Sequence, residues 1–323
     1  YISIVAAICS IALTFYNIIV TKKLIPSIHI KLNRFSLPCI KEMFSAGVWS
    51  SVTKLSQILS DGLDLLICNL WVGSYDMGQL SIAYTIPTIF AGLISILNSL
   101  FCPQQTYYYA RKETSNVIKE IKVNMKLCGF FVSVAFAGIV VYGYEFFSLW
   151  VPGENVSMIY LLSCIAVVSV LISGVTSALH NVFLLTNNLK VNSLVWMGVS
   201  FFDAVAVIVL VQFTKLGVFA IAGVSKIVGV LVSITYVPIY ASACLKASKK
   251  TFYPAIIFYV LDAIFLILGF SVLKQILPPA RSVFLFICDC ALTGVAGCVF
   301  NYFAYLNRNE RIAMKRFFLK KGI

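Results

Sequence analysis

The sequence predicts an all-α, polytopic transmembrane helix bundle of about nine spans, and three observations predict it. First, 60% of the 323 residues are hydrophobic and only 11% are charged, against about 25% charged in a soluble domain. The mean hydropathy is +0.95. One water-soluble core cannot absorb so much apolar sequence, because cores stop growing at domain size. Second, apolar windows of roughly 20 residues, the length of helix that crosses hydrocarbon, follow one another along the chain. Third, Lys and Arg gather in the gaps between these windows, and do so unevenly.

The windows lie near residues 1–20, 44–71, 79–102, 126–147, 158–184, 193–213, 217–241, 253–273 and 283–305. Turn residues fill the gaps, as in Gly73-Ser74-Tyr75-Asp76, Pro152-Gly153-Glu154-Asn155, Thr186-Asn187-Asn188 and Pro278-Pro279. Aromatic residues that prefer the interface mark window ends: Trp71, Tyr107 to Tyr109, Trp150, Tyr236, Tyr240, Tyr302 and Tyr305. Pro87 predicts a kink in the third span, and Pro103 its end or a bend. The chain opens on Tyr1 rather than Met and is a span from the outset, so it reads as a piece of a longer protein with no targeting signal to judge.

The net charge of +13 does not point to nucleic acid, because the basic residues form no separate domain. Twenty Lys and Arg fall in one set of alternate gaps; only Lys215, Lys274 and Arg281 fall in the other, with Lys54 and Lys226 inside spans. That asymmetry puts the N-terminus outside and the C-terminal tail in the cytoplasm. Segments 31–42 and 107–126 read equally as basic amphipathic stretches held to anionic headgroups and as solvated loops. The ten cysteines include no CxxC and sit mostly in apolar stretches, which predicts small packing residues, no disulfide, no metal and no cofactor.

Ionisable groups within spans are costly and by default face a bundle interior or a wet cavity. The densest set is Ser50, Lys54, Gln57, Asp61 and Asp64, which share an arc of about 80° on one helix. They predict a functional polar face near mid-membrane; the competing reading is a salt-bridge network that only joins helices. Lys226 shares a face with Gly223, Gly229 and Ser233, and Asp289 with Thr293 and Gly297, so both are expected to look inward. Asp203 and Asp262 are lone acids with even claims to a structural role. His180 reads as a helix-end hydrogen bonder. There is no GxSxG, HExxH or phosphate-binding glycine loop, and the longest outer gap, near 148–157, is short. The chain is therefore read as a non-enzyme, with a membrane-embedded glycosyl- or acyltransferase as the alternative from another class.

Five stretches in order carry a resemblance. They are Ser45-Ala46-Gly47-Val48-Trp49 through Asp61-Gly62-Leu63-Asp64 with the loop Val72 to Gly78, then Pro103-Gln104-Gln105, then Leu149-Trp150-Val151-Pro152-Gly153-Glu154, then Leu185 to Lys190, and last Leu216 to Ala222. Over roughly residues 40–245 the chain resembles the Wzx-type polysaccharide flippases of the multidrug/oligosaccharidyl-lipid/polysaccharide exporter superfamily. Such proteins have about twelve to fourteen spans in two six-helix lobes, so the resemblance implies a MATE-like C-terminal lobe with the N-terminal lobe largely missing. It implies that 1–20 is the last helix of that N-lobe, 21–43 a cytoplasmic linker, 44–245 the C-lobe, 246–306 two added helices and 307–323 a basic tail.

The implied activity is flipping of an undecaprenyl-pyrophosphate-linked oligosaccharide across a bacterial cytoplasmic membrane. Its implied partners are that glycolipid, membrane lipids, a coupling proton or sodium ion and other polysaccharide-assembly proteins. Lys54, Gln57, Lys226 and Ser50 are then the candidate cavity residues, and Asp61, Asp64 and Asp289 the candidate coupling or gating acids. A cation-coupled drug exporter and a peptidoglycan-precursor flippase are alternatives within the same superfamily.

Overall fold

The computed structural model describes residues 2–24, 36–277, 282–306 and 311. All regular structure among them is helical. Without water to bond exposed amides, helices satisfy their backbone internally, which is the condition for crossing hydrocarbon. Nine helical stretches among the described residues are long and apolar enough to span: Ala7–Leu24, Gly47–Val72, Ser74–Ala110, Thr114–Trp150, Val156–Leu185, Leu189–Phe213, Val218–Cys244, Tyr253–Ile276 and Val283–Tyr305. The nine sequence windows coincide with them.

The chain divides into two compact units, Tyr1–Gly47 and Val48–Ile323. The first contains α1 (Ile2–Leu24) and the beginning of α2 (Leu37–Ile67). Residues 31–35 of the basic stretch 31–42 lie outside the described residues, and its remainder from Leu37 is helix.

The second unit holds the rest of α2, which ends in a π turn (Cys68–Val72), and nine further helices. These are α3 (Ser74–Ala110), α4 (Thr114–Trp150), α5 (Val156–Thr176), α6 (His180–Leu185), α7 (Leu189–Phe213), α8 (Val218–Ile234), α9 (Tyr236–Cys244), α10 (Tyr253–Ile276) and α11 (Val283–Phe300), the last followed by a π turn (Asn301–Tyr305). Helix α4 is central: it packs against α3, α5, α10 and α11. Helix α5 packs in turn on α3 and α8, and α7 on α8. Small residues permit the close approaches. A Cβ on Gly174 of α5 would lie 3.0 Å from Ile94 of α3, and one on Gly143 of α4 would lie 3.0 Å from the Tyr160 ring of α5.

Leu80, Ile121, Met125, Phe147, Ile159, Leu162 and Phe183 are fully buried between these helices. Leu93, Ile96, Phe201, Leu261, Ile264 and Leu268 point outward and are exposed. An outer surface so rich in large aliphatic side chains suits lipid and not water.

Helix α3 decides one alternative for its prolines: Pro103 does not end it. It runs unbroken through Pro87 and Pro103 to Ala110. Each proline removes one backbone bond, and neighbouring hydroxyls bond the carbonyls around them. Thr85 Oγ1 donates to Ser81 O, Thr88 Oγ1 to Tyr84 O, Ser99 Oγ to Ile96 O and Thr106 Oγ1 to Cys102 O. The basic segment 107–126 is mostly helical and not a long loop. It is the end of α3 and the start of α4, joined by a three-residue turn in which Lys112 adopts φ 59°. At the opposite end of α4, Gly153 supplies φ 96° in a short turn, and Asn155 caps α5 by accepting from Met158 N at 3.2 Å.

Candidate functional site: a polar seam along α2, α3 and α8

The polar arc of α2 divides into two parts. Ser50, Lys54 and Gln57 are exposed, and Lys54 Nζ donates to Gln57 Oε1 at 3.1 Å. Asp64, two turns beyond Gln57, is only 2% exposed. The side chain of Asp61 lies outside the described residues. The expectation that Lys54 looks into the bundle is thus not met within this unit, and the reason is local. Helix α2 meets α7 along an adjacent face: Ser193 Oγ lies 2.7 Å from Thr53 Oγ1 and donates to Trp49 O at 2.8 Å, while Ser200 Oγ donates to Ser56 O at 3.1 Å. That seam leaves Ser50 and Lys54 outside the α2–α7 contact.

Asp64 is enclosed by three helices. Ser225 Oγ of α8 donates to its Oδ1 at 2.7 Å, and Tyr84 Oη of α3 donates to its Oδ2 at 3.0 Å. Lys226 Nζ of α8 stands 3.8 Å from the same Oδ2 and 4.5 Å from the centre of the Tyr84 ring. Asp203 of α7, itself buried, adds a second acid that acts on Asp64. A lone ionised carboxylate in hydrocarbon is costly, and a nearby ammonium with two hydroxyl donors offsets much of that. Lys226 does face inward, as its small neighbours predict: Gly229 lies against Ser169 of α5, and Ser233 is buried.

One cavity borders this group and a second adjoins the first. One of about 530 Å³ is lined by Lys226, Tyr84, Thr85, Thr88 and Ser169. A larger one of about 1200 Å³ is lined by Gln57, Asn98, His180, Asn181, Trp196 and Ser233, with further serines and Tyr107. Ala91 and Val170 line both, so the two cavities adjoin. The larger cavity has amide, hydroxyl and aromatic groups on its wall and no carboxylate, lysine or arginine among its lining residues. Its polar wall is internally braced: Asn98 Nδ2 donates to Ser177 Oγ at 2.8 Å, Asn124 Nδ2 to Asn98 Oδ1 at 3.0 Å and Asn181 Nδ2 to Gln105 Oε1 at 3.1 Å. His180 is one of these wall residues, packed on the Phe183 and Trp196 rings, rather than simply a helix-end group.

Asp289 is not brought to this group. It sits on α11, where Tyr142 of α4 is its neighbour and Thr293 bonds its carbonyl at 2.7 Å. Its face does point inward, since a Cβ on Gly297 would lie 2.7 Å from the Phe270 ring of α10. Tyr84, Ser225 and the polar wall of α3 are the site residues that sequence reasoning missed.

These features belong to a chain with a distant relative of known sequence. It is 25% identical over 323 residues to the uncharacterized membrane protein EpsK of Bacillus subtilis (strain 168), an alignment covering 99% of this chain and 63% of that protein. The chain thus spans less than two thirds of its relative's length. No family profile and no solved structure matches it. The chain is a multi-pass membrane protein.

Proposed function

We propose that this chain is part of a transporter that flips a lipid-linked oligosaccharide, carried on undecaprenyl pyrophosphate, from the inner to the outer leaflet of a bacterial cytoplasmic membrane. The observation that carries this reading is the 1200 Å³ cavity among spanning helices, whose wall offers neutral hydrogen-bonding and aromatic groups. Those groups can hydrogen-bond to and stack on a polar, uncharged moiety such as a sugar. Gln57 belongs to that wall and accepts from Lys54, so an ammonium stands beside it. A pyrophosphate crossing hydrocarbon needs such a cation, because an unpaired anion there costs several kcal/mol or more.

Under this reading α2 to α9 form one lobe of an alternating-access pair, and α10 and α11 are additions to it. The Asp64 group then acts as a coupling or gating element, since movement of α2 against α8 changes the Asp64–Lys226 separation. The N-terminus faces outside and the basic tail faces the cytoplasm.

The test is complementation in a flippase-null strain. Surface polysaccharide returns when this chain is supplied together with the lobe implied by the resemblance, and labelled glycolipid changes leaflet without chemical change. A new covalent product instead supports the membrane-embedded transferase and overturns the proposal.

A further inference from the structure

A second buried polar group lies away from the cavities, where α10 and the π turn after α11 press on α4. Asp262 of α10 is 8% exposed, and Tyr259, Ser133 and Asn301 are fully buried around it. Ser133 and Asn301 are neighbours of the Asp262 carboxylate, and Tyr259 is one helical turn before it on the same face. Gly129 of α4 is what lets the tyrosines in. A Cβ there would stand 2.5 Å from Tyr305 Oη and 2.9 Å from the Tyr259 ring.

The hydrogens in this group are quickly used up. Asn301 Nδ2 donates to Phe130 O at 3.1 Å and to Ser133 Oγ at 3.0 Å. Reversing the amide would set its oxygen against a carbonyl, so the orientation is fixed by its partners. That leaves Asp262 Oδ2, Asn301 Oδ1 and Tyr259 Oη buried with no hydrogen-bond partner. Among the described residues, Lys226 pairs with Asp64 and Lys274 with Glu145, and Asp262 takes part in no ion pair.

We propose that Asp262, Asn301, Tyr259 and Ser133 form a binding site for a small monovalent cation, which ties the end of α11 to α4 and α10. A buried carboxylate without a cationic neighbour is neutralised by whatever positive charge can reach it. The surrounding ligands are all hard oxygens, which disfavours transition metals. The single formal negative charge disfavours calcium and magnesium, whose sites gather more carboxylates or phosphates. Sodium and the proton share the remaining chemistry. The other titratable groups facing the site are Tyr259 of α10, Tyr305 of the π turn and Cys128 of α4. This proposal does not rest on the transport reading.

The test is thermal unfolding of the whole chain in detergent, with sodium chloride exchanged for choline chloride at constant ionic strength and at several pH values. Sodium at about a hundred times its Kd should raise Tm by roughly 5 °C, saturably, and Asp262→Asn should remove that rise. The rise should persist in Asp64→Asn, which separates this site from the α2 group. If the proton is the ion, sodium has no effect, Tm falls as the pH rises, and Asp262→Asn flattens the profile. Should Asp262→Asn fail to fold, Ser133→Ala keeps the carboxylate and should weaken the sodium or proton response several-fold. A wild-type Tm indifferent to both ions, or a response unchanged in Asp262→Asn and Ser133→Ala, overturns the proposal.

Discussion

Lys226 Nζ lies 3.8 Å from Asp64 Oδ2 and 4.5 Å from the centre of the Tyr84 ring, so one cation on α8 is shared between a carboxylate on α2 and an aromatic face on α3. Asp203 acts on the same carboxylate from α7. The arrangement is asymmetric: two buried acids influence each other, and Lys226 pairs with Asp64.

The asymmetry orders two variants. Lys226→Met leaves Asp64 and Asp203 buried and facing each other, and should destabilise the protein by about 3–5 kcal/mol, the usual effect of breaking a buried pair from one side. Asp64→Asn keeps a hydrogen-bonding group for Ser225 and Tyr84 and relieves the repulsion from Asp203, so it should destabilise by about 1–3 kcal/mol. Thermal unfolding in detergent gives the order. A smaller loss for Lys226→Met than for Asp64→Asn would show that the lysine does not hold these acids together.

The α2–α7 seam yields a second prediction. Ser193 Oγ approaches Trp49 O, Thr53 Oγ1 and Leu189 O, and Ser200 Oγ reaches Ser56 O. Hydroxyl bonds between membrane helices contribute about 0.6 kcal/mol on average and up to about 1.7. Ser193→Ala should sit near the upper value and Ser200→Ala near the average. Hydrogen exchange over residues 48–60 should speed up in Ser193→Ala and change less in Ser200→Ala. Equal exchange in both variants and wild type would mean that the seam does not fix α2.

How much of this was legible in the sequence differs by level. All nine windows were visible, because hydrocarbon thickness sets span length and no soluble alternative competes. Pro103 was open to being read as a helix end, yet α3 continues to Ala110, because a proline inside a membrane helix removes one backbone bond and need not end the helix. On α2 the polar stripe was read as one face, but its two parts have different surroundings: Asp64 meets α3 and α8 while Lys54 remains exposed. Nothing on α2 itself names Tyr84 or Ser225, since those contacts are long-range. By contrast, Ser95, Asn98, Cys102 and Gln105 recur on α3 at helical spacing, so three of the cavity's wall residues, Ser95, Asn98 and Cys102, were within reach of the same periodicity argument.

The third prediction concerns topology. With twenty basic residues on one set of gaps and three on the other, the loops that carry Ser74 and Asn155 should face outside and the loop that carries Asn188 the cytoplasm. Single cysteines at these positions in a cysteine-free background should react with an impermeant thiol reagent in intact cells at Ser74 and Asn155 only. Reaction at Asn188 from outside would invert the bundle.

The last prediction separates the roles of the two lysines in the transport reading. Lys54 is exposed and donates to neutral Gln57, which lines the large cavity. Lys226 is already engaged by Asp64 and lines the smaller one. If Lys54 attracts the pyrophosphate, charge is what matters at that position. In the complete transporter, Lys54→Arg should keep part of the flipping activity, and Lys54→Ala should abolish it with membrane abundance near normal. Lys226→Ala should also abolish flipping, by leaving Asp64 without its ammonium. Because the defect then comes from the acid, Asp64→Asn in the Lys226→Ala background should restore part of the activity, whereas it should not rescue Lys54→Ala. The readout is surface polysaccharide in a flippase-null strain alongside immunoblotted protein. Normal flipping in Lys54→Ala would remove the cation from the substrate path. Rescue of Lys54→Ala by Asp64→Asn would instead make Lys54 part of the same charge network, and its role structural.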